Sequence, residues 1–298
     1  MADDRVIDVV LPYYSPAGRA WAAIESVLAQ EYPHWRLVVV DDAYPEERIR
    51  QRLEAQGDAR IEYVRNAENI GLARNFSRCL DLVRAPHFVM LGDDDLMHPG
   101  YLRSVAARLA AHPEADIVQP GVRVIDEEGR PVLPLADRIK AVLRPRGGTG
   151  GVLLSGERMA ESLMRADWAY FPSLTWRTET ARAHGFREEY AVALDYALLL
   201  DIALDGGSLL VYDDVVFDYR RHRASVSSTT ASSGLRFAQE RDFALAYSAR
   251  MSGRGWHRAA RIGRRRTISR LHGAAEAMGA VLAGDIRRAG TLLSTALR

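Results

Sequence analysis

The sequence predicts an α/β protein with a mixed, mainly parallel central sheet. Three observations carry that reading. Short apolar runs bounded by Gly, Pro or Asp recur through the first 125 residues, as strands buried on both faces require. Stretches with apolar residues at helical spacing alternate with those runs. Two of the runs stop abruptly in carboxylates, at Asp41-Asp42 and at Asp93-Asp94-Asp95. Open α/β sheets bind ligands beyond the carboxyl ends of their strands, so both stops are candidate binding positions.

Val6 to Leu11 is nearly all apolar and reads as the first strand, ended by Pro12-Tyr13-Tyr14. Ser15 is expected to cap a helix whose first position is Pro16, with Trp21, Ile24, Val27 and Leu28 marking its apolar side as far as about Gln30. Leu37 to Val40 is the second strand and runs into Asp41-Asp42. A helix over Glu46 to Ala55, a strand at Ile61 to Val64 and a loop at Asn66 to Gly71 follow. Leu72, Phe76, Leu80 and Val83 define the next helix, and Phe88 to Leu91 the strand that meets the triple aspartate. Leu102, Val105 and Leu109 mark a helix ending near His112-Pro113. Two short strands, Ile117-Val118 and Gly121 to Ile125, flank a turn at Gln119-Pro120.

From Asp126 to Gly151 periodicity is weak, which predicts a loop-rich segment with no assigned helix, and the glycine cluster at 146–151 reads as a mobile loop. A helix over Gly156 to Arg165 and a short strand at Leu174 to Trp176 come next. Leu194 to Leu204 is an apolar helix interrupted by Asp195, Tyr196 and Asp201, and strands follow at Leu209 to Tyr212 and Val215 to Tyr219. Beyond Ser233 the pattern is helical and Arg-rich.

With 298 residues, 48% hydrophobic and 27% charged, the chain can bury a large core. Cys79 is the only cysteine and sits in an apolar helical pattern, so it reads as a buried thiol. The net charge of +1 hides an asymmetry. Residues 231–298 hold 13 Arg against 4 Asp or Glu, a surplus of nine, so the remainder carries a net of −8. An acidic body argues against nucleic acid as a partner and suits a site that recruits a cation. The Arg-rich tail reads as the solvated face of helices, with peripheral contact to an anionic membrane as the alternative. No stretch approaches a membrane span and the first residues lack a signal-peptide layout, which predicts a cytoplasmic protein. Neither GxGxxG nor GxxxxGK[ST] follows a strand, which weakens dehydrogenase and P-loop readings.

Three adjacent carboxylates repel one another unless something positive sits among them, and a divalent metal is the simplest such partner. Together with Val9-Val10-Leu11-Pro12-Tyr13-Tyr14-Ser15, Ser26 to Gln30, Val38 to Asp42, Asn69-Ile70-Gly71-Leu72-Ala73-Arg74-Asn75, Leu91 to Asp95, and Tyr219-Arg220-Arg221-His222 with Ser225 and Ser227, they resemble the GT-A glycosyltransferases of family 2. These use nucleotide-diphospho-sugars, and the resemblance covers roughly residues 5–230. It implies a three-layer, Rossmann-like GT-A domain over residues 1–230. The nucleotide-binding half would span about 1–125 and the acceptor-binding half about 126–230. A basic helical extension would occupy 231–298. Two departures stand out: Gly92 where many relatives begin the acidic motif with Asp, and Leu194 before Asp195 where Glu is common.

The resemblance implies a metal-dependent transferase that moves a sugar from UDP or dTDP to an acceptor hydroxyl with inversion. Asp42 would accept from the pyrimidine base, with Pro12 and Tyr14 packing around it and Arg74 near the base or diphosphate. Asp93 would bind the ribose, Asp94 the Mn²⁺ or Mg²⁺, and His222 the metal or phosphate. Asp195 would be the general base, since single displacement needs one carboxylate beside the acceptor hydroxyl. Asp201 and Asp205 read as surface or helix-end charges, and Trp168, Tyr170 and Trp176 as either core or sugar-stacking. Asp95 is expected to help through water or to cap the next helix. A catalytically inactive nucleotide-sugar-binding protein and, less well supported, a nucleotidyltransferase are the alternatives.

Overall fold

The structure, a computed structural model, describes residues 5–190, 193–221 and 235–267, with 270, 271, 277, 278, 280, 281, 285 and 290 beyond them. Side chains at 235–238 are outside this description.

The first half alternates as expected. β1 (Ile7–Tyr13), α1 (Ala17–Leu28), β2 (Trp35–Asp41), α2 (Arg48–Gln56), β3 (Ile61–Arg65), α3 (Leu72–Leu82) and β4 (His87–Met90) build four parallel strands in the order β3-β2-β1-β4. Alternate residues of β1 feed two cores. Ile7, Val9 and Leu11 pack with Ala20, Ile24 and Val27 of α1. Val10 faces the other way, with Val38 and Val40 of β2 and Cys79 and Leu80 of α3. Burial on both faces is why these strands are continuous apolar runs. Cys79 is buried, and burial pushes its thiol well up. Pro16, not Ser15, immediately precedes α1, and no side chain caps that end. One polar knot interrupts the apolar layers: Asp8, 1% exposed, accepts from Arg36 and from the Arg84 and Ala85 amides.

The second half is β5 (Leu96–Met97), α4 (Tyr101–Ala111), β6 (Ile117–Ile125), α5 (Leu135–Leu143), β7 (Val152–Ser155), α6 (Gly156–Arg165), β8 (Thr175–Arg177), α7 (Thr178–His184), α8 (Leu194–Leu204) and β9 (Ser208–Arg220). β8 runs antiparallel between β4 and β6, while β9 is parallel to β6 and antiparallel to both β7 and β5. Among the described residues all nine strands form one mixed sheet. Two strands expected on either side of Gln119-Pro120 are one strand, β6, with register shifts at Gln119/Gly121 and Gly121/Val122. Proline lacks the N–H that a regular ladder needs, and a bulge accommodates it. Likewise the two strands expected at 209–212 and 215–219 are the single β9, whose interruption by Asp213-Asp214 is the same bulge seen from the other side.

Three further expectations are corrected. The stretch 126–151 is not all loop, since α5 lies within it. The glycine cluster is held in place: Gly148 N–H donates to Asp213 Oδ2 at 2.7 Å, Asp213 N–H returns a bond to Gly148 O at 3.1 Å, and Gly151 N–H donates to Gly147 O at 2.9 Å. A Cβ at Gly147 would overlap Val211 O of β9, so the backbone approach itself demands glycine there. Asp201 is not a surface charge. It is 2% exposed and binds Arg187 Nε at 2.8 Å, Arg250 and the Tyr247 hydroxyl.

The last described helices, α9 (Leu235–Gly253) and α10 (His257–Arg265), join the main core. Phe243, Tyr247, Met251, Ala259 and Ala260 pack with Met159 and Leu163 of α6 and the apolar face of α8. Trp168, Tyr170 and Trp176 are all buried.

Candidate active site

The carboxyl ends of β1, β2 and β4 meet at one corner. β4 passes directly into the acidic turn, where Leu91 N–H still pairs with Val10 O at 2.9 Å. Asp93 and Asp94 are half-buried, and Asp95 is 1% exposed. The Asp95 N–H donates back to Gly92 O at 3.3 Å, closing a tight turn. The Asp95 side chain folds onto Gly92, where an added Cβ would overlap Asp95 Oδ2. Asp95 does not cap α4, whose N-terminal end has no side-chain cap; its Oδ1 accepts from Arg220 N–H at 2.8 Å. Burial and the neighbouring Asp94 charge push its carboxyl well above the ordinary range, against the pull of that N–H.

Arg220, at the end of β9, holds the turn from behind. Its Nε donates to Asp94 O at 2.8 Å, and Nη1 donates to Asp126 O and Glu127 O at 3.0 Å each. The sequence offered Arg220 only as one letter of a longer motif, so this clasp was not foreseen.

Tyr14, 53% exposed, stands beside the turn with its N–H on Asp93 Oδ2 at 3.3 Å. Its ring meets Tyr44 edge-on at 5.3 Å, and half-buried Pro12 lies two residues back. Asp42 sits at the neighbouring strand end, joined to the same exit turn by its N–H to Tyr13 O at 2.9 Å. Its carboxylate is 2% exposed and already takes Asn66 Nδ2, Ile70 N–H and Gly71 N–H at 2.7, 2.8 and 2.9 Å. A carboxylate has about four acceptor positions, so room for one further donor remains. Asn75 completes the loop by accepting from Asn66 and donating to Val40 O, and Asn69 caps Gly71. Arg74 stands three residues past Gly71, whose N–H donates to Asp42. It is exposed on α3 and pairs with Glu188 at 3.3 Å. His222 lies outside the described residues.

Asp195 opens α8, half-buried, in its first turn. Burial and the charge of Asp167 push its carboxyl up to about 6, against the helix N–H groups and Lys140. Lys140, on α5, lies 3.9 Å from Asp167, donates to Ala169 O at 3.2 Å and sits 5.0 Å above the Tyr170 ring. Neither Lys140 nor Asp167 was singled out from sequence, since nothing in linear spacing ties them to residue 195.

A polar bridge runs from this base region to the acidic corner. Tyr170 donates to Asp137 Oδ1 at 2.9 Å, and Arg221 pairs with the same carboxylate at 2.8 Å. Tyr219, ring centroid 5.0 Å from Tyr170, has its hydroxyl pushed up by burial and by the charges of Asp95 and Asp94. The corner and Asp195 therefore belong to one contiguous region. The donor set suits a hard divalent cation: half-buried carboxylates that supply two protein ligands at most, as Mg²⁺-type sites shared with a diphosphate use. Among the described residues no cluster of three His, Cys, Asp or Glu side chains could hold a metal by itself.

Residues 8–156 match the family model described as glycosyl transferase family 2. The chain belongs to glycosyltransferase family 2. EpsE of Bacillus subtilis, named as a glycosyltransferase, is 30% identical over 125 residues, 41% of this chain and 45% of EpsE. The bifunctional glycosyltransferase pgtA of Dictyostelium discoideum is 27% identical over 134 residues, 40% of this chain and 17% of pgtA. The family 2 chain thus spans less than half the length of these relatives. Among solved structures, S. aureus TarS in complex with UDP-GlcNAc superposes with a TM-score of 0.64 at 14% identity, over 97% of this chain and 90% of that one. The mannosyltransferase PcManGT from Pyrobaculum calidifontis, in complex with GDP-Man and Mn²⁺, gives 0.61 at 18% identity, over 98% and 86%. These likenesses establish the GT-A fold for this family 2 member.

Proposed function

We propose that this protein transfers a sugar from a pyrimidine nucleoside-diphosphate sugar, UDP- or dTDP-linked, to an acceptor hydroxyl with inversion. One observation carries the reading. A carboxylate turn at the end of β4 and a half-buried carboxyl raised to about 6, Asp195, sit in one contiguous region. The first suits a diphosphate with its cation, the second a proton acceptor that works near neutrality.

In this reading Asp42 accepts the base N3–H through its remaining lone-pair position. Pro12 and Tyr14 line the base, and Asp93 takes the ribose hydroxyls. Arg220 keeps the turn in place by holding its backbone. Asp94 would hold a divalent cation, which when bound would supply Lewis-acid neutralisation of the leaving group. Asp195 takes the acceptor proton as the acceptor oxygen bonds to the anomeric carbon. The glycosidic C–O bond breaks on the opposite face, and its electron pair leaves with the nucleoside diphosphate. TarS and PcManGT, captured with a UDP-sugar and a GDP-sugar, support a nucleotide-sugar donor. With three bonds already made, Asp42 has one acceptor position left, which matches the single imide N–H of uracil or thymine rather than the paired N1–H and N2–H of guanine.

The test is a donor panel, UDP-, dTDP- and GDP-sugars, assayed with Mn²⁺ for binding and for sugar release or transfer. Binding and turnover restricted to the pyrimidine donors is the expected result. Nucleotide binding without release or transfer to any acceptor would make the chain a nucleotide-sugar-binding protein instead.

A further inference from the structure

α5 covers the sheet without packing onto it. A helix laid over a sheet ordinarily buries an apolar stripe, yet Asp137 is the only buried residue of α5. What this segment lends to the space beneath it is Asp137, Ala141 and, just past its end, Arg144. The sheet meets the same space at the bulge between β6 and β9, through Gly121, Val122, Asp213 and Val215. Bulges re-aim side chains beside sites. The result is an open cleft of about 620 Å³, within the size range of small-molecule sites.

The lining has two characters. Part is apolar, and Leu133 at 58% exposure and Val215 at 50% leave large aliphatic surface open to water there. The rest is charged: Arg123, Arg144 and Arg146 against Asp137 and Asp213. Pairing cancels most of it. Arg144 takes Asp213, Arg221 takes Asp137, and Arg123 takes Asp218. Arg146 is left over, exposed and with no carboxylate partner among the described residues. Arg144 is not fully used either. Its Nη atoms serve Asp213, Pro120 O and Tyr212 O, while its Nε–H is buried without a hydrogen-bond partner. A surplus guanidinium beside apolar surface, in a main body of net negative charge, selects a ligand that is apolar on one side and anionic on the other. A neutral sugar would leave Arg146 unanswered.

We propose that this cleft is the acceptor site, and that the acceptor is an amphipathic anion. Its apolar body lies along Val122, Leu133 and Val215, and its phosphate or carboxylate pairs with Arg146, whose planar guanidinium can bind either group through two hydrogen bonds. The cleft borders the reacting region, because Asp137 and Tyr170 line it and also form the polar bridge between the acidic corner and Asp195. The inference rests on the sugar-transfer reading given above.

The experiment is calorimetric titration of the full chain with phenyl phosphate, phenyl β-glucuronide and the neutral phenyl β-glucoside, and with inorganic phosphate as the bare anion. The two aryl anions should bind about tenfold or more tighter than the glucoside and the bare anion. Whichever aryl anion binds better identifies the group as phosphate or carboxylate. Arg146→Gln should weaken both by about tenfold and leave the glucoside unchanged. Ala141→Phe, which narrows the cleft, should remove both. Positions 141 and 146 are exposed, so thermal unfolding of the variants should match the parent and separates lost binding from lost fold. A saturating aryl anion should also change the rate of sugar release from a UDP- or dTDP-sugar, since it occupies the place of the acceptor. Equal binding of glucuronide and glucoside overturns the proposal. So does anion binding that survives either substitution, or a release rate that the bound anion leaves untouched. A parent that cleaves no nucleotide sugar sinks the transferase reading and the acceptor assignment with it. A parent that cleaves the donor but fails the anion tests sinks the cleft assignment alone.

Discussion

Asp195 carries the most specific expectation at the level of single residues. Its carboxyl, raised to about 6, must be ionised to take a proton, so turnover should climb through that pH and level off above it. Asp195→Asn should leave donor affinity unchanged while lowering kcat by roughly 10²–10⁴. Stability has the opposite slope. The folded carboxyl binds its proton more tightly than the unfolded one, so folding is favoured below the ordinary value of 3.8 and loses stability as pH rises towards about 6. Urea unfolding across that window should show a steeper decline in the parent than in Asp195→Asn, the remainder coming from the likewise raised Asp95 carboxyl. Asp94 tests the other half of the site. Asp94→Asn should abolish metal-dependent transfer and shift the melting temperature by no more than about 2 °C, because its side chain is half-buried and its backbone carries the Arg220 contact.

Among the elements, the glycine turn before β7 gives a clean contrast. Gly147→Ala forces a Cβ into Val211 O and should cost about 1–3 kcal/mol in chemical denaturation. Gly150→Ala, with open space around it, should stay within about 0.5 kcal/mol of the parent. The same segment shows where sequence reading reaches its limit. Strands β1, β2 and β4 and helix α8 were legible because buried elements write their burial as apolar runs. α5 was not, since its fully buried side chain is Asp137 while Leu135 and Val142 are exposed, the reverse of the usual signal. β6 and β9 looked like four strands because Pro120 and Asp213-Asp214 break the apolar pattern at a bulge that only pairing reveals. β5 has two residues, too few for any period to register. In the candidate site the strand-end carboxylates announced themselves. Lys140, Asp167 and the Arg220 clasp did not, because each acts on a residue distant in sequence.

For the whole molecule, the described C-terminal helices and the α/β layers share one core. Tyr247 is fully buried against α8, and its hydroxyl reaches Ala197 O at 3.2 Å and Asp201 at 3.1 Å. Tyr247→Ala should therefore cost about 3–5 kcal/mol, measured by denaturant unfolding, although it touches no proposed ligand contact. A merely appended helix would tolerate the change. Along residues 239–267, Arg254, Arg258, Arg261, Arg264 and Arg265 are exposed while Phe243 and Tyr247 turn inward, so composition alone showed only a basic, helical end.

β9 takes part in three pairings at once and its last residue grips the turn after β4, some 125 positions earlier. Contacts so far apart along the chain form late, since the intervening loop must close first. During synthesis the acidic corner would thus emerge from the ribosome long before its clasp exists, leaving the Asp94 carbonyl and the Asp95 carboxylate without their Arg220 bonds until that residue follows. Competence to bind a donor should switch on abruptly as that residue clears the exit tunnel.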